Sequence, residues 1–186
     1  MEAIAYVLLG CALMIVLGYL KRKYFDFDAQ TASDYAEGEQ IDLRTHLNGP
    51  IVCEGVIYGP TGRVTSRFVG DFEAEWNGNT GVMKEHFRYS DGTEQHREWR
   101  LTLGNDGRIR ALADDVVGDG TGTQMGSAVQ LNYKIRLPED AGGHVLDTTD
   151  WMYLAPNGTI VNRSQFRKFG IKVAELVATM RRKDVA

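Results

Sequence analysis

The chain has 186 residues and a formal net charge of −4, with 21 glycines but 4 prolines. An acidic chain whose basic residues form no run longer than the three at 21–23 and at 181–183 is a poor ligand for nucleic acid, so that partner class is set aside. Two cysteines, Cys11 and Cys53, and four scattered histidines give no zinc spacing and no disulfide framework.

The first element is an apolar run. Ala3 to Leu20 carries no charge and ends at Lys21-Arg22-Lys23, with Tyr19 and Tyr24 beside it. At about 1.5 Å per residue it reaches roughly 27 Å, close to the ~30 Å hydrocarbon core of a bilayer. Met1-Glu2 is no basic leader, and no small-x-small site precedes the basic cluster. Leu8-Leu9-Gly10-Cys11 faintly resembles a lipobox, but the apolar run continues well past the cysteine. The expectation is one uncleaved, single-pass transmembrane helix over 1–24. The positive-inside rule places the following chain in the cytoplasm.

Residues 25–46 are mostly polar and read as a linker. From Asn48-Gly49-Pro50 onward the chain becomes strands and glycine turns, giving an expected barrel domain over 47–186. Strands are predicted near 51–58, 63–76, 82–89, 93–103, 109–117, 127–137, 144–154, 159–167 and 171–181. The second is diagnostic. Over Arg63–Trp76 one face reads Val64, Ser66, Phe68, Gly70, Phe72, Ala74, Trp76, and the other is mainly charged. Strict period-2 alternation over a length beyond the usual ~3–10 residues suits a half-buried barrel wall. The last segment fits a strand or a short C-terminal helix, the strand being favoured. The predicted fold class is all-β: an antiparallel up-and-down, lipocalin-like barrel of about 8–10 strands behind one transmembrane helix.

Register follows at one hairpin. Ser90-Asp91-Gly92 suits a three-residue loop with Gly92 in the left-handed position. Tyr89 then faces Thr93, Phe87 faces Gln95, Glu85 faces Arg97 and Met83 faces Trp99, all on the apolar face. If Leu103 pairs with Ile109, Arg97 meets Asp115 on its other side. The interior is therefore expected to hold Glu85, Arg97 and Asp115 in a row, with Met83, Phe87, Trp99 and Trp76 lining an apolar pocket. Arg97 would receive an acidic headgroup. The same ions would also serve as a structural network closing one barrel end, or as a solvated rim. A second cluster around Asp150, with Trp151, Tyr153, Asn162 and Arg163, suits a ligand mouth or a hydrogen-bonded core.

These stretches resemble a bacterial family of small uncharacterised proteins, usually lipoproteins, defined as a domain of unknown function. The matching segments include Leu47-Asn48-Gly49-Pro50, Gly62-Arg63-Val64-Thr65-Ser66-Arg67-Phe68, Glu85-His86-Phe87-Arg88-Tyr89-Ser90-Asp91-Gly92, Asp114-Asp115-Val116-Val117-Gly118, Asp150-Trp151-Met152-Tyr153-Leu154 and Lys168-Phe169-Gly170. The resemblance covers about 47–182 and implies a lipocalin-like barrel. Its genes' proximity to fatty-acid-modifying enzymes points to lipid, and it carries over no catalytic residues. It also implies a domain outside the cytoplasm, opposite to the charge rule, so the side of the bacterial inner membrane stays open.

The leading expectation is a membrane-tethered barrel that binds a lipid or other hydrophobic molecule, with no cofactor or metal. An isomerase, cyclase or hydrolase acting through Glu85 or Asp115 is the alternative, but no nucleophile elbow, metal motif or phosphate loop supports it. A third reading is an assembly partner of a membrane enzyme.

Overall fold

The structure is a computed structural model that describes residues 2–183, apart from the side chain of Asp140; the last three residues of the expected barrel domain lie outside the described residues. Helix α1 spans Glu2–Tyr24, has no buried residue and is long and apolar enough to cross a membrane. A four-residue helix α2, Leu43–His46, precedes ten strands. These are β1 (Gly49–Tyr58), β2 (Val64–Asn77), β3 (Thr80–Tyr89), β4 (Glu94–Leu103), β5 (Arg108–Leu112), β6 (Gly120–Met125), β7 (Ala128–Arg136), β8 (Val145–Leu154), β9 (Ile160–Lys168) and β10 (Ile171–Arg182). Each pairs antiparallel with the next, and β1 closes on β10.

The predicted registers hold: Phe87↔Gln95, Glu85↔Arg97, Met83↔Trp99 and Leu103↔Ile109. Alternation along β2 holds too. Phe68, Gly70, Phe72 and Ala74 are buried, while Val69, Glu73 and Glu75 are exposed. Ile171–Arg182 is a strand.

The strand boundaries need correction at one place. The expected strand 109–117 ends at Leu112, and the expected turn Gly118–Gly122 contains the start of an extra strand, β6. Its glycines serve packing. A Cβ on Gly122 would lie 2.2 Å from the Gln130 carbonyl oxygen, and one on Gly120 would lie 3.0 Å from that of Ala111. The extra strand also makes closure possible. An up-and-down meander brings its first and last strands together antiparallel only if the count is even.

The segment expected to be a linker is held against the barrel. Two short 3₁₀ turns lie on the outside of the barrel, Phe27–Ala29 by β8 and β9 and Ala32–Tyr35 against β6 and β7. At the top of β9, Arg167 pairs with Asp28 at 3.3 Å and Asp26 at 3.7 Å. Lower down, Phe27 and Tyr35 cover Trp151, Tyr153 and Ala128. The Gln30 side-chain oxygen accepts a hydrogen bond from the Tyr153 hydroxyl at 2.7 Å. At the bottom, Ser127 N–H donates to the Tyr35 carbonyl and Ile41 N–H to that of Gly126. This strap then passes beneath the barrel, where α2 plugs the end with Leu43 and Leu47, 1 % and 2 % exposed. The composition is polar because one side of the strap faces water. Its apolar residues follow no helical or strand period, since a covering strap obeys neither.

Candidate functional site

The barrel encloses a cavity of about 280 Å³. The plug seals it at one end. At the other, the exposed Arg136 and Pro138 join Tyr89, Gln95, Leu137 and Phe166 in its lining, so the mouth lies at the β7–β8 and β9–β10 end. Most of the wall is apolar. Phe68, Phe72 and Phe87 make edge-to-face contacts at 5.1–5.4 Å, joined by Met83, Leu131, Met152 and Met180.

Set into this wall is a polar group drawn from facing strands. On β3 and β4, Glu85 is 7 % exposed with Oε2 unpartnered, and Arg97 lies beside it in register. Arg97 donates from Nε (2.9 Å) and Nη2 (2.5 Å) to Oδ2 of Asp115, and its guanidinium lies 5.5 Å from the Trp99 ring centre. Asp115 sits in the β5–β6 loop, with Oδ1 unpartnered. Across the cavity, Asp150 on β8 accepts hydrogen bonds from the Asn162 amide and, at 2.8 Å, from Ser164 Oγ. Tyr133 on β7 packs edge-on against Trp99 at 5.2 Å.

Burial governs the electrostatics. It raises the Glu85 carboxyl to about 7, against the pull of Arg97 and with repulsion from Asp150 and Asp115. It raises Asp150 to about 6, opposed by the hydrogen bonds from Ser164 and Asn162. For Arg97, burial would lower the pKa, but Glu85, Tyr133 and Asp115 outweigh it, so the guanidinium keeps its charge. Burial pushes the Cys53 thiol up, away from the thiolate form.

Seven of the expected residues meet here: Met83, Glu85, Phe87, Arg97, Trp99, Asp115 and Asn162 all line the cavity. Four do not. Trp76 lies over Gly81 near the plug and donates from Nε1 to the Leu47 carbonyl at 2.7 Å. Trp151, Tyr153 and Arg163 point outward, the first two under the strap and Arg163 exposed beside it. Trp151 is fully buried there, and the Arg163 guanidinium stands 4.9 Å over the Phe27 ring. The physical reason is parity, since Asp150, Met152 and Leu154 share the inner face and Trp151 and Tyr153 the outer one. The same alternation would have singled out Asp150, which was grouped with its outward neighbours. Tyr133 and Ser164 carry the same signal, Tyr133 alternating with Val129, Leu131 and Ile135 and Ser164 lying two residues from Asn162.

A second polar cluster stands on the outer wall. His86 and His96 are cross-strand partners with rings stacked at 4.2 Å, and Glu94 lies 2.8 Å from His86 Nε2. Their ligand atoms fall within 4.8 Å of one another, as a metal ion would need. Sequence spacing hid this pair, although the Glu85↔Arg97 register already implied it. The cluster is separate from the cavity.

The family described as "Protein of unknown function (DUF3833)" matches residues 24–182, strap and barrel together. The chain belongs to this DUF3833 family. No curated protein sequence matches it. Among solved structures, the DUF3833 barrel is similar to Rv2717c from M. tuberculosis, with 15 % identity and a TM-score of 0.55 over 75 % of this chain and 94 % of that one. It is also similar to the S-type phycobiliprotein lyase CPES from Guillardia theta, with 7 % identity and a TM-score of 0.57 over 84 % and 99 %. At such identities the likeness establishes the lipocalin-like fold of DUF3833 and no more.

Proposed function

We propose that this DUF3833 protein binds a hydrophobic small molecule inside its barrel, beside a bacterial inner membrane in which α1 is a single-pass anchor. The observation that carries the reading is the enclosed apolar cavity with a few convergent polar groups, the arrangement expected of a ligand site. A lipid fits the aromatic and methionine wall. The basic residues in the last turn of α1, Lys21, Arg22 and Lys23, favour the cytoplasmic face.

The acidic headgroup expected from sequence gives way to a different polar end. Three carboxyl groups, Glu85, Asp115 and Asp150, surround one guanidinium already bound to Asp115. A second anion there would add repulsion, whereas an amine or another hydrogen-bond donor would satisfy the open oxygens of Glu85 and Asp115.

Native mass spectrometry of the full chain, extracted in mild detergent, tests the proposal. A retained hydrophobic compound released on denaturation is expected. Uniformly empty protein that also fails to take up a hydrophobic fluorescent dye overturns it.

One observation favours an enzymatic second reading. A buried carboxyl near 7 in a largely apolar cavity is poised for both halves of general acid–base catalysis. Product formation that disappears in Glu85→Gln would select this reading, while stoichiometric binding without product would select the first.

A further inference from the structure

The β9–β10 hairpin ends in a residue that packs on no core side chain, its ring meeting the Lys168 ammonium at 5.2 Å. Phe169 is 89 % exposed and has a φ of 52°, the only positive φ outside glycine among the described residues. A left-handed phenylalanine is costly, and a turn alone would select glycine or asparagine. Ile171, two residues on, is 68 % exposed, and Lys168 and Lys172 flank the pair. Apolar tips between cations are suited to the boundary between headgroups and acyl chains.

The position of this tip gives it a partner. Arg167, next to it, holds Asp26 and Asp28, and Asp28 lies 3.9 Å from Arg22 of α1. Phe25, 82 % exposed, follows the helix directly. The end of α1, the hairpin tip and the cavity mouth therefore occupy one end of the molecule, and the plug occupies the other.

We propose that the β9–β10 tip dips into the same bilayer that holds α1 and turns the mouth of the barrel toward the lipid surface. The inference rests on the reading of α1 as an anchor. A ligand would then pass between membrane and cavity without crossing bulk water.

The test uses the full chain with Cys11→Ala and Cys53→Ala, reconstituted in phosphatidylcholine vesicles containing one quarter phosphatidylglycerol. An environment-sensitive probe is placed on Phe169→Cys, on Ile171→Cys, or on Asn157→Cys in the exposed turn at the plug end. Blue-shifted emission and several-fold stronger quenching by shallow lipid-borne quenchers at 169 and 171 than at 157 are expected. Equal quenching at all three, with α1 resistant to alkaline extraction, overturns the orientation and leaves the anchor intact. Extraction of the protein by alkaline carbonate overturns the anchor and the orientation with it. Equal shielding of 169 in detergent-solubilised dimers places a second copy on the tip instead and also overturns the proposal. Hydrogen exchange of the unmodified chain, slower over 167–172 in vesicles than in detergent, gives the same answer without substitutions.

Discussion

Arg97 commits Nε and Nη2 to one oxygen of Asp115, at 2.9 and 2.5 Å, while Glu85 in register beside it keeps Oε2 unpartnered. The guanidinium thus neutralises its loop partner more completely than its strand neighbour. Glu85 is left as the costly member of the cluster.

The cost depends on pH. The folded carboxyl titrates near 7, above its ordinary value of 4.5, so the native state holds the proton more tightly than the unfolded chain. The Glu85 contribution to stability is therefore full below about pH 4.5 and is lost as pH rises through 7, by about 3 kcal/mol in the limit. Glu85→Gln removes the ionised form. Thermal melts are expected to show this variant more stable than the parent at pH 8 and little changed at pH 5. A uniform loss of stability across that range would contradict the assignment.

Ligand polarity gives a second test. In a matched set of ten-carbon alkyl ligands, the amine should displace a cavity-bound dye at lower concentration than the alcohol, and the carboxylate should be weakest. Asp150→Asn should narrow the gap between amine and carboxylate, since it removes one of the surplus acids. Tighter binding of the carboxylate would restore the anionic headgroup while leaving the cavity as the binding site.

The plug offers a third. Leu43 is nearly inaccessible at the closed end, and Leu43→Ala should cost about 2–5 kcal/mol, as other buried leucine truncations do. It should also speed ligand release by opening a second exit. Denaturant melts read the first effect and stopped-flow dye dissociation the second.

Gly126 fixes the strap. It has a φ of 53°, and a Cβ there would stand 1.7 Å from the Tyr35 carbonyl oxygen. Gly126→Ala combines about 1–2 kcal/mol of backbone strain with displacement of the strap. Lower melting temperature and greater acrylamide quenching of Trp151 in a variant with Trp76 and Trp99 replaced by Phe are expected. An undisturbed Trp151 would mean that the strap is not held at Tyr35.

Much of the barrel was legible because its signals are local. Ser90-Asp91-Gly92 has one comfortable loop geometry, which sets the register of β3 on β4 and puts Glu85 beside Arg97, and the Leu103↔Ile109 pairing then adds Asp115. β6 was hidden because Gly120 and Gly122 look like a turn, whereas they are where neighbouring strands come too close for a side chain. Trp151 and Tyr153 misled for another reason. Aromatic rings with polar tips suit a ligand mouth and an outer face under a strap equally well, and only inner–outer parity separates the two. The strap carries no periodicity that would have announced it, because its partners lie far along the chain: Tyr35 meets Gly126, and Leu43 N–H bonds to the Gln124 side chain.

The seam between β1 and β10 has a consequence for how the molecule is made. Ile51 pairs with Arg182 and Tyr58 with Glu175. During synthesis β1 emerges early but must wait, one edge unpaired, until nearly everything else has been translated. Over that interval the exposed edge is open to pairing with other chains. By then α1 and the strap have already left the ribosome. The strap, already docking along the growing wall, would then cover its outer face while the first strand waits for the last.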